Sequence, residues 1–404
     1  MGKLRCKDYL RHVLTAIVVI FIYASLVAAF RGTPLLALSI IVLFVAGIIF
    51  GEKIKRLEEV YKLLESNRKL ATVMIIICLA ILPILLENNY DIHVAVIAGI
   101  NALVALSLNF QLGSAGMVNV APAAFMGMGA YTSAFLSVKL GFDPWLATAM
   151  AIFSSALLGL IVGYPTLKTR GYYLALVTIA IQVIFTLLII NTPSLGGPNG
   201  ISGIPSYEIG SISFGKELVV GNFHLSHQVY YLYLVTFALM FTVWIAGRLW
   251  NSRIGLAWNA IEQDEVVAAT QGINVAYMKL LAFTLGGAFA GLAGAIYGHY
   301  SSFVGIDDFG MNKSLIILCM VALGGMDNVM GVVLGAVVLT LVDEKLRELA
   351  DYGVFFYGII LIAVLLMRPQ GILPRRMRKY QRIELQKPVR HFTAEAIPPA
   401  ESAD

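Results

Sequence analysis

Long apolar runs alternate with short polar segments along most of this chain. A helix needs about 20 residues to cross the hydrocarbon core of a bilayer, and most of these runs approach that length. They lie near residues 13–30, 35–51, 70–87, 92–110, 120–137, 145–165, 174–191, 229–249, 276–298, 314–325, 328–343 and 354–367. The pattern predicts an all-α polytopic membrane protein, a bundle of about 10–12 transmembrane helices.

Two segments interrupt the apolar pattern inside this bundle. They are Gln111 to Pro122 (QLGSAGMVNVAP) and Leu323 to Met330 (LGGMDNVM). Irregular backbone at membrane depth is tolerated only where protein covers it or where it lines a wet cavity. We therefore predict broken or re-entrant segments here, with a translocation pathway beside them. The positions assigned to this pathway are Asn109, Gln111, Gly113, Gly116, Asn119, Asp327 and Asn328.

A second interpretation fits the same polar side chains, which can instead hydrogen-bond between helices without contacting a solute. The similarity between LGSAGMVN and LGGMDNVM also has two explanations. It fits an internal repeat of the kind that builds many transporters, or a chance match of two glycine-rich octapeptides. Both pairs of alternatives stay open at this point.

A polar stretch, Asn251 to Asn274, lies between two of the apolar runs. If this stretch is helical, Ile254, Trp258, Ile261 and Ala268 fall on one face. Such a face fits a helix that docks onto a partner protein. It equally fits a surface helix that only closes the loop between two spans.

Composition and charge support a membrane protein and set its orientation. Hydrophobic residues make up 59% of the chain and charged residues 13%, a charged fraction well below that of soluble proteins. With the spans above, 23 of the 29 Lys and Arg residues lie on one side, which the positive-inside rule makes the cytoplasm. Both termini and the polar stretch fall on that side. Because the basic residues are dispersed at span ends, the net charge of +5 does not indicate a nucleic-acid partner.

The chain divides into three parts. Residues 1–69 form an N-terminal extension of two spans and a charged cytosolic linker. Residues 70–376 form the main bundle, with a Gly-, Ser- and Pro-rich external loop at 191–228 and a cytosolic loop at 251–275. Residues 377–404 are polar and are predicted to be a cytosolic tail.

Catalytic chemistry is not indicated. The segment Gly210 to Lys216 (GSISFGK) fits the start of a phosphate-binding loop, but Glu217 follows where Ser or Thr would bind magnesium. The six histidines lack metal-binding spacing, and the three cysteines are too scattered for a metal site or a disulfide framework. Carboxylates inside the spans are scarce. We therefore expect the driving energy to come from outside this chain and the solute to be neutral or zwitterionic.

Glycines recur at four-residue intervals in the late spans. The pairs are Gly287 with Gly291, Gly294 with Gly298, and Gly331 with Gly335. Such pairs let helix backbones approach closely. We expect packing within the bundle, with packing between subunits as the alternative.

Several separate motifs resemble one family. The stretch GLAWNAIEQDEVVAATQGINVAYMKLLAFTLGGAFAGLAGAIYGHY is similar to the cytosolic loop and following span of LivM-type permeases from branched-chain amino acid ABC importers. The segments LGSAGMVNVAPAAFMGMGAYTSAFL, TRGYYLALVTIA and MRPQGILPRR resemble further motifs of that family, in the same order. Together they cover most of residues 92–376.

The resemblance implies a permease subunit of the bacterial inner membrane that has no ATPase site and no cofactor of its own. Its partners would be a second, homologous permease, two ATP-binding cassette subunits that bind ATP and Mg, and a periplasmic amino-acid-binding protein. The expected cargo is Leu, Ile and Val. The loop at 251–275 would contain a cytosolic coupling helix that docks onto the ATPase, with Trp258, Glu262, Glu265 and Gly272 as contact residues.

Two other functions remain compatible with the residues. A permease of the same superfamily could carry urea, short amides or other amino acids, because the scaffold does not identify its cargo. A stand-alone channel or an ion-coupled carrier would move solute without any ATPase subunit.

Overall fold

A computed structural model of the chain describes residues 88–167, 171–210, 212–216, 218–220 and 223–345, and isolated positions at 23–25, 27–32, 83, 85–86, 358, 362 and 371–373. The predicted spans at 35–51, 70–87 and 354–367, most of the span at 13–30, and the tail at 377–404 lie outside these residues. The N-terminal extension therefore stays a prediction.

Helices make up most of the described chain. They are α1 (Asn89–Asn109), α2 (Pro122–Lys139), α3 (Pro144–Thr166), α4 (Tyr172–Ile190), α5 (His227–Trp250), α6 (Arg253–Gln263), α7 (Glu265–Thr270), α8 (Val275–Ser301), α9 (Met311–Gly324) and α10 (Val329–Lys345). All except α6 and α7 coincide with predicted spans, with boundaries that differ by at most three residues. Five of them, α1, α3, α4, α5 and α8, are long and apolar enough to cross a membrane. The prediction of an all-α polytopic membrane protein is confirmed.

Helix α8 lies at the centre of the bundle, packed along α1, α2 and α3. Helices α3, α4 and α5 turn many large apolar side chains outward, among them Phe153, which is 66% exposed, and Phe237, which is 70% exposed. Surfaces of this kind are stable against lipid, where apolar side chains need no cover. The described bundle therefore has three inner helices, α1, α2 and α8, and an outer apolar surface.

The glycine pairs pack inside the chain, as expected. A Cβ on Gly287 or Gly291 of α8 would meet Ser155 of α3, and a Cβ on Gly294 would overlap the carbonyl oxygen of Met126 on α2. In the same way, Gly335 of α10 lies against the end of α9. These positions bring helix backbones into direct contact, so the interpretation as internal packing is confirmed.

Short strands lie at one end of the bundle, in and beside the loop predicted at 191–228. β1 (Ile201–Ser202) pairs antiparallel with β6 (Phe303–Val304), β2 (Glu208–Ile209) with β3 (Ile212–Ser213), and β4 (Leu218–Val220) with β5 (Phe223–Leu225). Single 3-10 turns occupy Pro193–Leu195, Gly197–Asn199 and Asp307–Phe309. The GSISFGK segment contains β3 and is followed by strand β4.

Tyr207 fixes this loop to the bundle. Its side chain is fully buried, its hydroxyl lies 2.7 Å from the Thr148 hydroxyl, and its ring contacts Trp145 and His299. Burial raises the pKa of the Tyr207 phenol above its usual value, which keeps the hydroxyl protonated as a hydrogen-bonding group.

The loops between helices sort into two ends of the bundle. The indole N–H of Trp145 donates to the Glu208 carbonyl at 2.9 Å, and β1 pairs with β6, so the α2–α3, α4–α5 and α8–α9 connections share one end. The other end carries both helix breaks and the loop between α5 and α8. The connections therefore alternate between the two ends in the same order as in the span assignment that was used to count Lys and Arg residues on each side.

Candidate functional site

The first helix break follows α1. The helix widens into a π-turn at Phe110–Ser114, and irregular backbone then runs to Ala121, where α2 begins with Pro122. Gly116 lies within this segment at a φ of 67°, a left-handed conformation that glycine adopts without strain. π-turns are concentrated at functional sites in proteins. The break predicted from sequence is therefore present.

Four side chains from three elements satisfy the open amide groups at the start of α2. The first amides of a helix have no partner within it, and at membrane depth each one left bare would cost several kcal/mol. Each acceptor here is buried. Asn119 accepts from Ala121 at 2.8 Å, Thr178 from Val120 at 3.0 Å, Gln182 from Ala124 at 3.0 Å, and Ser314 from Ala123 at 3.1 Å. Helices α4 and α9 thus hold the first break in place.

The second break separates α9 from α10. Gly325 has a φ of 108° and Asp327 a φ of 64°, so the chain turns through two left-handed residues. The last carbonyls of α9 are capped from far along the chain, since Ile372 donates to Leu323 at 2.7 Å and Leu373 donates to Gly324 at 3.1 Å. The MRPQGILPRR motif therefore completes this break.

The two breaks meet. The Asp327 amide donates to the Asn109 side-chain oxygen at 2.9 Å, and the Ser114 hydroxyl donates to the Asp327 carboxylate at 2.8 Å. Gly113 lies between them, in a space where a Cβ would overlap the Asn109 side chain. Nearby, Asn119 donates to Gln111 at 2.6 Å. The structure thus brings Asn109, Gly113, Ser114 and Asp327 into one cluster, while Gln111 and Asn119 are hydrogen-bonded to each other.

Most of the predicted pathway residues are buried in this conformation. Asn109, Gln111, Gly113, Asn119, Asp327 and Asn328 are buried, and Gly116 is exposed. Their hydrogen bonds to one another and to backbone groups fit the interpretation in which they bridge helices. Their contact with a solute stays a prediction. Beside the buried Asp327, the side chains of Met326 and Met330 are 47% and 46% exposed.

The polar loop between α5 and α8 forms two short helices rather than one. Ser252 caps α6, and Asp264 ends it and caps α7, accepting from the amides of Val266 and Val267 at 2.8 and 3.1 Å. The apolar face predicted for a single helix is buried all the same. Trp258 is 1% exposed and both Ile261 and Ala268 are 2% exposed, whereas Ile254, the fourth residue of the predicted face, is only half-buried.

The four residues predicted to contact an ATPase lie in different environments. Trp258 is buried and its indole N–H donates to the Met278 carbonyl at 2.9 Å, so its side chain fixes α6 to α8 instead of facing a partner. Glu262 lies against the first break, and Glu265 is paired with Lys279. Gly272 alone among the four is exposed, at a φ of 81°.

Exposed apolar side chains on this loop were not predicted. Leu256 is 41% exposed, Val266 56% and Val267 54%. We call these three residues and Gly272 the docking patch. The sequence did contain a signal for these residues, because all three apolar side chains lie off the buried face of α6 and α7. Apolar side chains at such positions point outward from the surface of the helix.

The loop and the breaks are in contact. A Cβ on Gly116 would meet the Cγ of Glu262 at 2.7 Å and its Cα at 3.3 Å, so only a glycine lets α6 approach the first break this closely. A small pocket joins the same elements, lined by Asn109, Ser114 and Asp327 from the breaks and by Gly255 and Trp258 from α6. The loop therefore rests directly on the cluster where the breaks meet.

Buried charge beside the loop is paired. The Lys279 side chain on α8 is 3% exposed and its Nζ lies 2.5 Å from an oxygen of Glu265, whose side chain is 22% exposed. Sequence reasoning placed Lys279 only among the cytoplasmic basic residues. Among the residues that the structure describes, no group of three or more His, Cys, Asp or Glu could hold a metal ion.

Comparisons with known proteins agree with this architecture. Residues 92–365 match the family described as "Branched-chain amino acid transport system / permease component". The chain is 31% identical over 321 residues to the high-affinity branched-chain amino acid transport system permease protein LivM of Salmonella typhimurium and to that of Escherichia coli, covering 76% of this chain and 75% of each relative. It is 25% identical to the permease protein BraD of Pseudomonas aeruginosa, over 68% of this chain and 91% of that protein. No solved structure matches the chain. The chain therefore belongs to the family of permease components of branched-chain amino acid transport systems.

Proposed function

We propose that this chain is a permease subunit of an ABC importer that carries branched-chain amino acids across the bacterial inner membrane. It works with a second, homologous permease, two ATP-binding subunits and a periplasmic amino-acid-binding protein. The cargo is supported by the names of the relatives, which are branched-chain amino acid permease proteins. Hydrolysis of ATP with Mg takes place in the partner subunits, and this chain supplies half of the pathway.

The observation that carries the proposal is the docking patch, together with the contacts that hold its two helices on α8. Three large apolar side chains stand exposed on two short capped helices, at an end of the bundle where most basic residues are predicted to face the cytoplasm. Apolar groups clustered on a water-facing surface favour a protein partner. The buried Trp258 and the Glu265–Lys279 pair hold these helices rigidly on α8, so a force applied at the patch reaches the bundle.

The membrane interior supports an energy source outside the chain. The side chains at the breaks are the neutral Asn109, Ser114, Gln111 and Asn119 and the carboxylate of Asp327, and Glu262 of α6 lies against Gly116 at the edge. Ion-coupled carriers use several intramembrane ionisable groups to carry the coupled ion. Neutral amides and hydroxyls instead suit a cargo without net charge, such as a zwitterionic amino acid.

Native mass spectrometry of the tagged chain, extracted gently from its own membranes, tests the proposal. Recovery with a second permease and two ATP-binding subunits, followed by ATP-dependent leucine uptake into liposomes with the binding protein, is the expected result. A homo-oligomer that moved leucine in liposomes without ATP would overturn it in favour of a channel or carrier. An assembled complex whose binding protein took up urea or amides would overturn the cargo alone.

The docking patch gives a direct prediction. Val267→Asp should reduce co-purification of the ATP-binding subunits at least about tenfold, because a carboxylate buried without a partner at an interface costs more than about 1.4 kcal/mol. The permease itself should still elute as a single folded species, since Val267 is 54% exposed and packs against little of its own chain.

The matched control is Ile209→Asp. Ile209 is 55% exposed, but it lies at the opposite end of the bundle, in strand β2. This variant carries the same new charge and should retain the ATP-binding subunits. Equal retention by both variants would show that the docking patch is not the ATPase contact.

A further inference from the structure

We propose that Asp327 is a positioning residue of the transport cycle, which holds the two helix breaks together beneath α6 so that movement of the cytosolic loop reaches both breaks as one unit. The inference rests on the function proposed above, because it assigns a role within that cycle. It concerns a residue that contacts other parts of this chain and need not touch the cargo.

Asp327 uses both its backbone and its side chain to hold the first break. Its amide donates to Asn109 at 2.9 Å, and its carboxylate accepts from Ser114 at 2.8 Å. Both partners lie more than 200 positions earlier in the sequence, at the end of α1 and in the π-turn that follows. Asp327 is 4% exposed, so water does not compete strongly for these hydrogen bonds.

The backbone at this position is held in an uncommon conformation. In the part of the chain that the structure describes, Asp327 and Ser302 are the two residues other than glycine with a positive φ, of 64° and 54°. Such conformations persist where the surrounding contacts hold them, and they are concentrated in switch and binding regions. If the hydrogen bonds to the first break were lost, the left-handed turn would lose part of its support.

The cytosolic loop lies on the same cluster. Glu262 of α6 contacts Gly116, two positions beyond Ser114, and the pocket beside Asp327 is also lined by Gly255 and Trp258 of α6. A displacement of α6 therefore pushes on the first break directly. Through the bonds of Asp327 the same displacement reaches the second break, where Met326 and Met330 are exposed.

A purely structural role for Asp327 makes a different prediction. A buried hydrogen-bonded carboxylate that only stabilised the fold would, when removed, lower stability without changing how many amino acids are moved per ATP hydrolysed. The informative measurement is therefore the ratio of transport to ATP hydrolysis, together with the exchange of amide hydrogens in the two breaks.

The experiment compares Asp327→Gly, Ser114→Ala and Ser302→Gly in the full importer reconstituted with its binding protein. Asp327→Gly keeps the left-handed backbone available and removes the carboxylate. Ser114→Ala leaves Asp327 intact and removes one hydrogen bond. Ser302→Gly relieves the same kind of backbone strain at the opposite end, away from the breaks, and serves as the matched control.

We expect Asp327→Gly to lower the leucine transported per ATP by about fivefold or more, the lower range of coupling between linked sites. In the isolated chain in nanodiscs, we expect amide exchange at 113–117 and 325–329 to accelerate about tenfold as the breaks separate. Ser114→Ala should shift both readouts in the same direction by a smaller factor. The control, Ser302→Gly, should change neither the leucine transported per ATP nor the amide exchange of the breaks.

Two results would overturn the inference. The first is an unchanged ratio of transport to ATP hydrolysis in both Asp327→Gly and Ser114→Ala. The second is accelerated exchange at one break only, which would show that the breaks move separately. If the unaltered chain fails to assemble with ATP-binding subunits, the proposed function fails, whereas the exchange measurement still tests whether Asp327 joins the breaks.

Discussion

Replacing Gly294 with alanine should destabilise the whole bundle. A Cβ at this position of α8 would overlap the carbonyl oxygen of Met126, and the neighbouring atoms are also backbone, at Met126 and Ala130. Backbone cannot rotate out of the way as a side chain can, so α8 and α2 would have to separate. Overpacking of this kind lowers the free energy of unfolding by about 1–3 kcal/mol, and we expect Gly294→Ala to lower it by the upper value or more. The measurement is the melting temperature and the yield of monodisperse protein in detergent.

Gly358→Ala is the matched control for this prediction. Gly358 is helical, and a Cβ there would meet no atom of the described residues within 4 Å. Alanine is the better helix former by about 1 kcal/mol, so the control should melt no lower than the unaltered protein. Equal melting temperatures for both alanine variants would show that α8 and α2 are not packed through Gly294.

Reversing the charge of Glu265 should release α7 from α8. In Glu265→Lys two ammonium groups would face each other, one of them on a side chain that is only 3% exposed. Removing one partner of a buried pair costs about 3–5 kcal/mol, and the partial exposure of Glu265 reduces this figure. We expect α7 to detach from α8 and ATP-driven leucine uptake to fall about tenfold or more, since about 1.4 kcal/mol already changes an equilibrium tenfold.

The double variant Glu265→Lys with Lys279→Glu separates pairing from simple charge. It should recover part of the uptake, though not all, because a lysine at the start of α7 opposes the helix dipole. Gln263→Lys adds a positive charge at an exposed neighbouring position and should transport normally. If the double variant were no better than Glu265→Lys, the ion pair would not be what holds α7 on α8.

The sequence predicted the described spans well because their signal is local. A run of apolar residues of sufficient length implies a helix wherever it lies, and polar or glycine residues mark its ends. The two breaks were predicted for the same reason. Their meeting was not, since nothing in the run around Asn109 indicates that its side chain bonds Asp327, 218 positions away.

The loop between α5 and α8 shows a different limit of sequence reasoning. Periodicity correctly grouped Trp258, Ile261 and Ala268 on one face, but an apolar face has the same pattern whether it covers the chain itself or a partner. The structure shows that it covers the chain itself, which moved the candidate contact surface to Val266 and Val267. The break at Asp264 did have a local signal, because an aspartate before Glu265 is a favoured helix start.

The cap on α9 has a consequence for how the chain is made. The carbonyls of Leu323 and Gly324 receive their partners from Ile372 and Leu373, which leave the ribosome nearly fifty residues after them. Until then the end of α9 has open acceptors, and the turn through Asp327 lacks part of its packing. The second break is thus synthesised well before it can be completed, and its cap forms only when the segment around Ile372 and Leu373 has been made.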